Sequence, residues 1–186
     1  MQFKLCLLLL GITIALCEDI KDEQTCVDYF KTGENFNLTD IVGEWHTVYY
    51  WPPMQRTRTK CGTMTFKQVA RTFSPLQKCI SKIPENESIY KCFYKNNVGK
   101  LMNIYYFGSE EVKFQLRGCE VTSGKTSKFI FTDLGDGYVM GISCSSAGRG
   151  VLLSKSLPTA SEVQAKVDDI EVMTGRQGSP DCKLSE

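Results

Sequence analysis

From residue 43 onward the chain is a series of short apolar-rich runs, each broken by turn-forming residues. Residues 43–51 form the first. Residues 60–69, 76–83, 88–95, 101–107, 112–119, 127–132, 138–144 and 150–154 follow. Phe, Tyr, Val, Ile and Thr dominate these runs, and such side chains sit well on a pleated surface. Val112, Phe114 and Leu116 alternate with Lys113 and Gln115, which predicts one apolar and one polar face. Residues 84–87 and 96–99 read as turns. Strands recurring about every ten residues predict an antiparallel sandwich or barrel.

Two segments depart from this period. Near the C-terminus, Thr159 and Glu162 have the spacing of a capping box, with Thr159 at the N-cap. Val163, Val167, Ile170 and Thr174 then share one helical face, and Gly175 can end the helix. A single apolar stripe predicts a helix lying on a sheet. At the N-terminus, Lys4 precedes an apolar run over residues 5–16, and Ala15-Leu16-Cys17 offers small residues for cleavage. That is the pattern of a secretory signal peptide over residues 1–17, leaving one domain over 18–186. The run is short for a membrane span, so a secreted, extracellular product without stable membrane insertion is expected.

Composition narrows the options. Lys and Arg number 22 against 21 Asp and Glu, and Lys4 leaves with the leader, so the remaining charge is balanced. Capture of nucleic acid needs a basic surface, which composition does not supply. Of nine cysteines, Cys6 and Cys17 fall in the leader. The other seven are scattered, with no CxxC pair and a single histidine, so no metal site is expected. Disulfides are the default in an oxidising compartment. An odd number leaves a thiol for a receptor contact or an intermolecular disulfide. If residues 84–87 turn a hairpin, counting back sets Cys79 opposite Cys92, close enough to bridge. That leaves Cys119 unpaired. The rival pairing, Cys92–Cys119, frees Cys79. Asn37 and Asn86 each begin a glycosylation sequon in polar, turn-like surroundings.

Three short motifs then carry a resemblance. Gly43-Glu44-Trp45 follows Asp40-Ile41-Val42. Thr132-Asp133-Leu134 precedes the turn Gly135-Asp136-Gly137. Leu152-Leu153-Ser154-Lys155-Ser156 comes just before the helix. In order and spacing they resemble the lipocalin motifs, and the runs around Trp45 and Lys155 are similar to insect bilin-binding (insecticyanin-like) proteins and apolipoprotein D. The resemblance covers residues from about Cys26 to Cys182. Leu134 stands where the family has tyrosine, and Lys155 where arginine is commoner. The runs number one more than eight. The preferred reading continues the second strand through residues 76–83 past a kink near Ser74-Pro75; the other removes one run from the barrel.

The resemblance implies an all-β fold: an eight-stranded antiparallel up-and-down lipocalin barrel with a C-terminal α-helix packed outside. It implies that Trp45 plugs one end with Lys155 over its ring. It also implies bridges Cys26–Cys144 and Cys61–Cys182. Such a barrel holds side chains or one small ligand. Alternation from Trp45 sets Thr47, Tyr49 and Trp51 inward and His46, Val48 and Tyr50 outward. With Cys61 facing out, Gly62, Met64 and Phe66 face in. Phe114 and Leu116 continue the apolar row of Val112, and Phe129 and Phe131 form another. Tyr49 and Asn103 could orient a ligand by hydrogen bonds; the faces of Tyr94, Tyr105 and Tyr106 stay open. An aromatic cavity with few charges suits a flat or elongated apolar ligand.

The function this implies is a secreted carrier of a small hydrophobic molecule: a pigment, sterol, fatty acid or retinoid-like compound. No cofactor is required, and a biliverdin-like pigment is one candidate from the resemblance. An enzyme is not expected. Nucleophilic sites built on histidine need one in place, and His46 faces outward. Cys119 is the one opening for a cysteine-dependent lipocalin enzyme. A third reading is an interaction or inhibitor protein that works through its surface loops, with Arg56 and Arg58 giving the loop over residues 52–59 a basic tip.

Overall fold

A computed structural model describes residues 23–31, 34–55, 58–95, 101–146 and 148–186. The leader over 1–17, the Arg56 loop tip and the turn over 96–99 lie outside the described residues.

Eight strands run in sequence order: β1 (Gly43–Trp51), β2 (Gly62–Val69), β3 (Ile89–Lys95), β4 (Leu101–Phe107), β5 (Val112–Arg117), β6 (Lys125–Asp133), β7 (Tyr138–Ser143) and β8 (Arg149–Ser154). Each pairs antiparallel with the next, and β1 pairs with both β8 and β2. The sheet is thereby a closed antiparallel up-and-down barrel, which leaves no long edge to be managed. A two-residue strand, β9 (Ser179–Pro180), adds to β1 at Tyr49 and Tyr50. It takes the place of β2, whose pairing with β1 begins at Gly62 opposite Thr47.

The helices lie outside. Residues 23–30 are helical (α1), and α2 spans Ala160–Asp168. The capping box is formed in full: Thr159 Oγ1 accepts from the Glu162 amide at 3.2 Å, and the Glu162 carboxylate accepts from the Thr159 amide at 2.7 Å. The α-helix ends earlier than the apolar stripe suggests. A 3-10 turn over Glu171–Met173 follows, and it is there that Ile170 and Met173 are buried.

Among the described residues, three buried clusters can be distinguished. The first fills the barrel around Trp45, Phe66, Tyr106, Phe129 and Phe131. The second lies outside, where Val163 and Met173 of the C-terminal segment and Val27 and Phe30 of α1 cover Val48, Ile130, Ile142 and Leu152. The third lies outside β4 and β5, where Leu76, Cys79 and Ile83 cover Tyr105, Phe107 and Leu116.

That third cluster corrects the reading of residues 76–83. They do not continue the second strand; Ser74–Lys82 is a 3-10 helix with Pro75 in its first turn. Proline fixes φ and lacks the N–H that a strand ladder needs there. The hairpin argument for a Cys79–Cys92 bridge falls with it. Cys92 pairs in register with Phe66 inside the barrel. Cys79, on the outer 3-10 helix, is bonded to Cys119 in the loop after β5. Cys61 is bonded to Cys182. Cys26 and Cys144 are not bonded in the structure but share a hydrogen bond, and it holds the Cys26 thiol below the ordinary thiol value.

Candidate functional site

One end of the barrel is closed. Trp45 is 3% exposed. Its indole N–H donates to the Ile41 carbonyl at 2.6 Å, and Lys155 Nζ sits 3.9 Å from its ring centroid. Lys155 also donates to the Val42 carbonyl at 3.3 Å. Gly43 has φ of 117°, a conformation L side chains rarely adopt, and a Cβ there would lie 3.4 Å from Lys155 Nζ. Phe36, Leu38 and Ile41 pack beneath. Lys113 is 1% exposed and donates to Asn35 Oδ1 at 2.7 Å and to the Glu110 carbonyl, tying the incoming chain across this end. At the neighbouring turn, Asp133 Oδ1 accepts from the Gly135 amide at 2.9 Å. Thr132 pairs with Met140 on the outer side of the wall, away from the interior.

Strand register separates the candidate ligand residues. Met64, Phe66, Phe129 and Phe131 belong to the interior cluster. Thr47 shares their side of β1, and its hydroxyl donates to Asp181 at 2.7 Å. Tyr49 and Trp51 do not face the cavity. The β1–β8 register shifts between Thr47 and Tyr49, and a bulge flips every later side chain to the opposite face. Tyr49 and Trp51 therefore pack together at 4.7 Å in the outer cluster. Tyr50 points inward in their place, within hydrogen-bonding reach of Thr47.

Strand β5 is reversed as well. Phe114 and Leu116 are on the outside: Phe114 stacks on Phe107 at 5.4 Å and is 38% exposed, and Leu116 lies under the 3-10 helix. The polar row Lys113, Gln115 and Arg117 faces in, since Lys113 pairs with Phe129 and Gln115 with Tyr106. Asn103 is also on the outer side, paired with Phe93. The cavity with few charges is thus corrected: one stave is lined by two cations and an amide.

The interior falls into two halves. Toward the closed end, Phe36, Phe66, Tyr106, Phe129 and Phe131 fill the space, with ring centroids 4.7–6.3 Å apart. Toward the mouth, register places Tyr50, Met64, Tyr94, Met102 and Arg117 on the inner face, all at least partly exposed. At the rim Asp181, fully buried, accepts from Thr47 and from the Gly62 amide at 2.7 Å and faces Arg58 at 3.6 Å. This pins the C-terminal strand β9 across the gap between β1 and β2.

Burial sets the ionisation of the interior groups. It raises the Tyr50 hydroxyl to about 12, with the Asp181 carboxylate adding to the effect. It raises Tyr106 strongly, partly opposed by Arg117, while Gln115 donates to the Tyr106 hydroxyl at 2.6 Å. Cys92 lies in the same interior, and burial pushes its thiol well above the ordinary value. A thiol held protonated is a poor nucleophile. Cys119, the candidate nucleophile in the sequence, is bonded to Cys79. His46 pairs with Thr63 and Ser154 on the outer face. Among the described residues no group of three or more His, Cys, Asp or Glu could hold a metal ion. None of the described helices is long and apolar enough to cross a membrane. Asn37 and Asn86 are both exposed.

No family model matches the sequence, and no curated protein does. Solved structures do match. Lobster apocrustacyanin A1 aligns over 80% of this chain and 81% of that chain, at a TM-score of 0.45 and 13% identity. Apocrustacyanin C2 aligns over the same shares at 0.45 and 12%. Likeness at that level assigns no family, and the barrel rests on its own strand pairing.

Proposed function

We propose that the chain is a secreted lipocalin that carries a small hydrophobic molecule in the mouth half of its barrel. The observation that carries this reading is the asymmetry of the interior. One end is plugged by Trp45 and packed with rings. At the other, Tyr50, Met64, Tyr94, Met102 and Arg117 lie on the inner side of the strands, each at least partly exposed. Concave sites with mostly apolar walls and a few convergent polar groups are the usual form of small-molecule sites. The motif resemblance supports the lipocalin assignment, and a biliverdin-like pigment is the finer candidate drawn from it. In an oxidising compartment the adjacent Cys26 and Cys144 would close a third bridge, and the exposed Asn37 and Asn86 would carry glycans. Cys92 remains as the odd thiol, too deeply placed to reach another molecule.

The test is mass spectrometry of an organic extract of protein purified from its natural source. About one equivalent of a single small apolar compound is expected. Protein that carries none, and binds no apolar probe after extraction, would sink the carrier reading. The rings that fill the closed half favour a second reading, in which the barrel is a scaffold for interaction loops at the mouth. That reading predicts a protein partner in place of a small ligand.

A further inference from the structure

Given the carrier reading, on which this inference rests, the polar stave on β5 says more about the ligand than the apolar walls do. Gln115 is 1% exposed, and its Nε2 is spent on Tyr106. Its Oε1 is buried with no hydrogen-bond partner among the described residues. A buried acceptor left unmade is costly, and such groups call for explanation. The atom lies on the inner face, so a donor there would come from whatever occupies the lumen. Arg117 is two residues closer to the mouth on the same face, about 7 Å along the strand. The residue is exposed, yet its charge reaches Tyr106 and Cys92 in the interior. Lys125 is directly opposite it in the β5–β6 register. The rim carboxylate, Asp181, is already matched to Arg58. Among the described residues, the inner face therefore offers an unpaired acceptor where the ring-filled half meets the mouth half, and two cations toward the mouth above it.

We propose that the ligand is an amphipathic organic anion: an apolar body with an N–H or O–H donor for Gln115 and an acidic group held at the mouth by Arg117 and Lys125. Guanidinium suits carboxylate, sulfonate and phosphate oxygens alike because its donors form a planar fork. The donor anchors the depth of insertion and the anion fixes the orientation, so a neutral hydrocarbon of equal size binds less well.

Two fluorescent probes separate these contributions. 1-Anilinonaphthalene-8-sulfonate carries rings, an N–H donor and an anion; N-phenyl-1-naphthylamine is the same molecule without the sulfonate. Both are titrated into the folded, oxidised protein at constant salt. The sulfonate should bind about tenfold more tightly or better, the size of one charged hydrogen bond. Arg117→Gln should abolish that advantage and leave the neutral probe unchanged. Gln115→Leu should weaken both. Lys67→Gln, which removes an exposed cation from the outer face, should change neither. If both probes bind equally, or Arg117→Gln leaves the sulfonate's affinity intact, the anion assignment is overturned and the carrier reading stands. If neither probe binds saturably, both readings fall.

Discussion

Replacing Trp45 tests the physical basis of barrel closure. The indole is 3% exposed, donates one hydrogen bond and stacks beneath Lys155. Truncating a buried tryptophan to alanine costs about 3–5 kcal/mol in lost transfer and cavity terms. The orphaned Ile41 carbonyl adds about 1 kcal/mol. The lysine contact, at an exposed side chain, adds about 0.5–1 kcal/mol. These overlap, and a total of about 4–6 kcal/mol compares with the roughly 5–15 kcal/mol that holds an ordinary domain together. Trp45→Ala should therefore be largely unfolded or melt far below the wild type. Lys155→Met isolates the smallest contribution and should lower Tm by about 2–4 °C, the response to about 1 kcal/mol in a domain of this size. Urea unfolding of wild type, Trp45→Phe, Lys155→Met and the double variant gives the coupling. A Trp45→Ala protein within about 1 kcal/mol of wild type would refute the plug. Strictly additive single variants would refute the ring contact.

Three other outcomes are expected of the same structure. Tyr50→Ala should weaken binding of a barrel probe while Tyr49→Ala leaves it unchanged; the reverse result would place the bulge elsewhere. Peptide mapping under non-reducing conditions should recover Cys79 linked to Cys119, with Cys92 alkylated only after unfolding, and a Cys79–Cys92 peptide would contradict the outer position of the 3-10 helix. Alkaline titration followed by tyrosine absorbance should be biphasic. Folding holds Tyr50 and Tyr105 neutral up to about 12 against an ordinary 10.0, so their contribution to stability is intact below pH 10 and is lost as pH rises toward 12. Their ionisation should coincide with unfolding; a single smooth phase with the fold retained would show them freely solvated.

The strand positions and the capping box are legible in the sequence because each is a local pattern with a local cause, whereas the Trp45–Lys155 contact joins distant segments and is expected only from the motif resemblance. The inner face is less legible. Alternation says that two faces differ, not which one is inside, and it survives only until a bulge. One extra residue at Val48 moves Tyr49 and Trp51 out of the lumen and Tyr50 into it. On β5 the apolar row is the outer one because the 3-10 helix Ser74–Lys82 covers it. The segment that resembles an extra strand is the reason the polar row faces inward. Pro75, and the lack of strict alternation across residues 74–83, are the signals the sequence carries for this. Gln115 and Arg117 escape a sequence reading for the same reason, since a polar residue on a barrel strand reads as solvent-facing.

The most direct test of the account is where a bound molecule lies. Methionine methyl groups report this without substitution. Met64 and Met102 line the mouth half of the lumen, while Met140 and Met173 are buried outside the barrel wall. With methyl-labelled methionine, titration of 1-anilinonaphthalene-8-sulfonate should shift the Met64 and Met102 resonances and leave Met140 and Met173 in place. Shifts confined to Met140 and Met173, or a bound probe that moves none of the four, would contradict a ligand site inside the barrel.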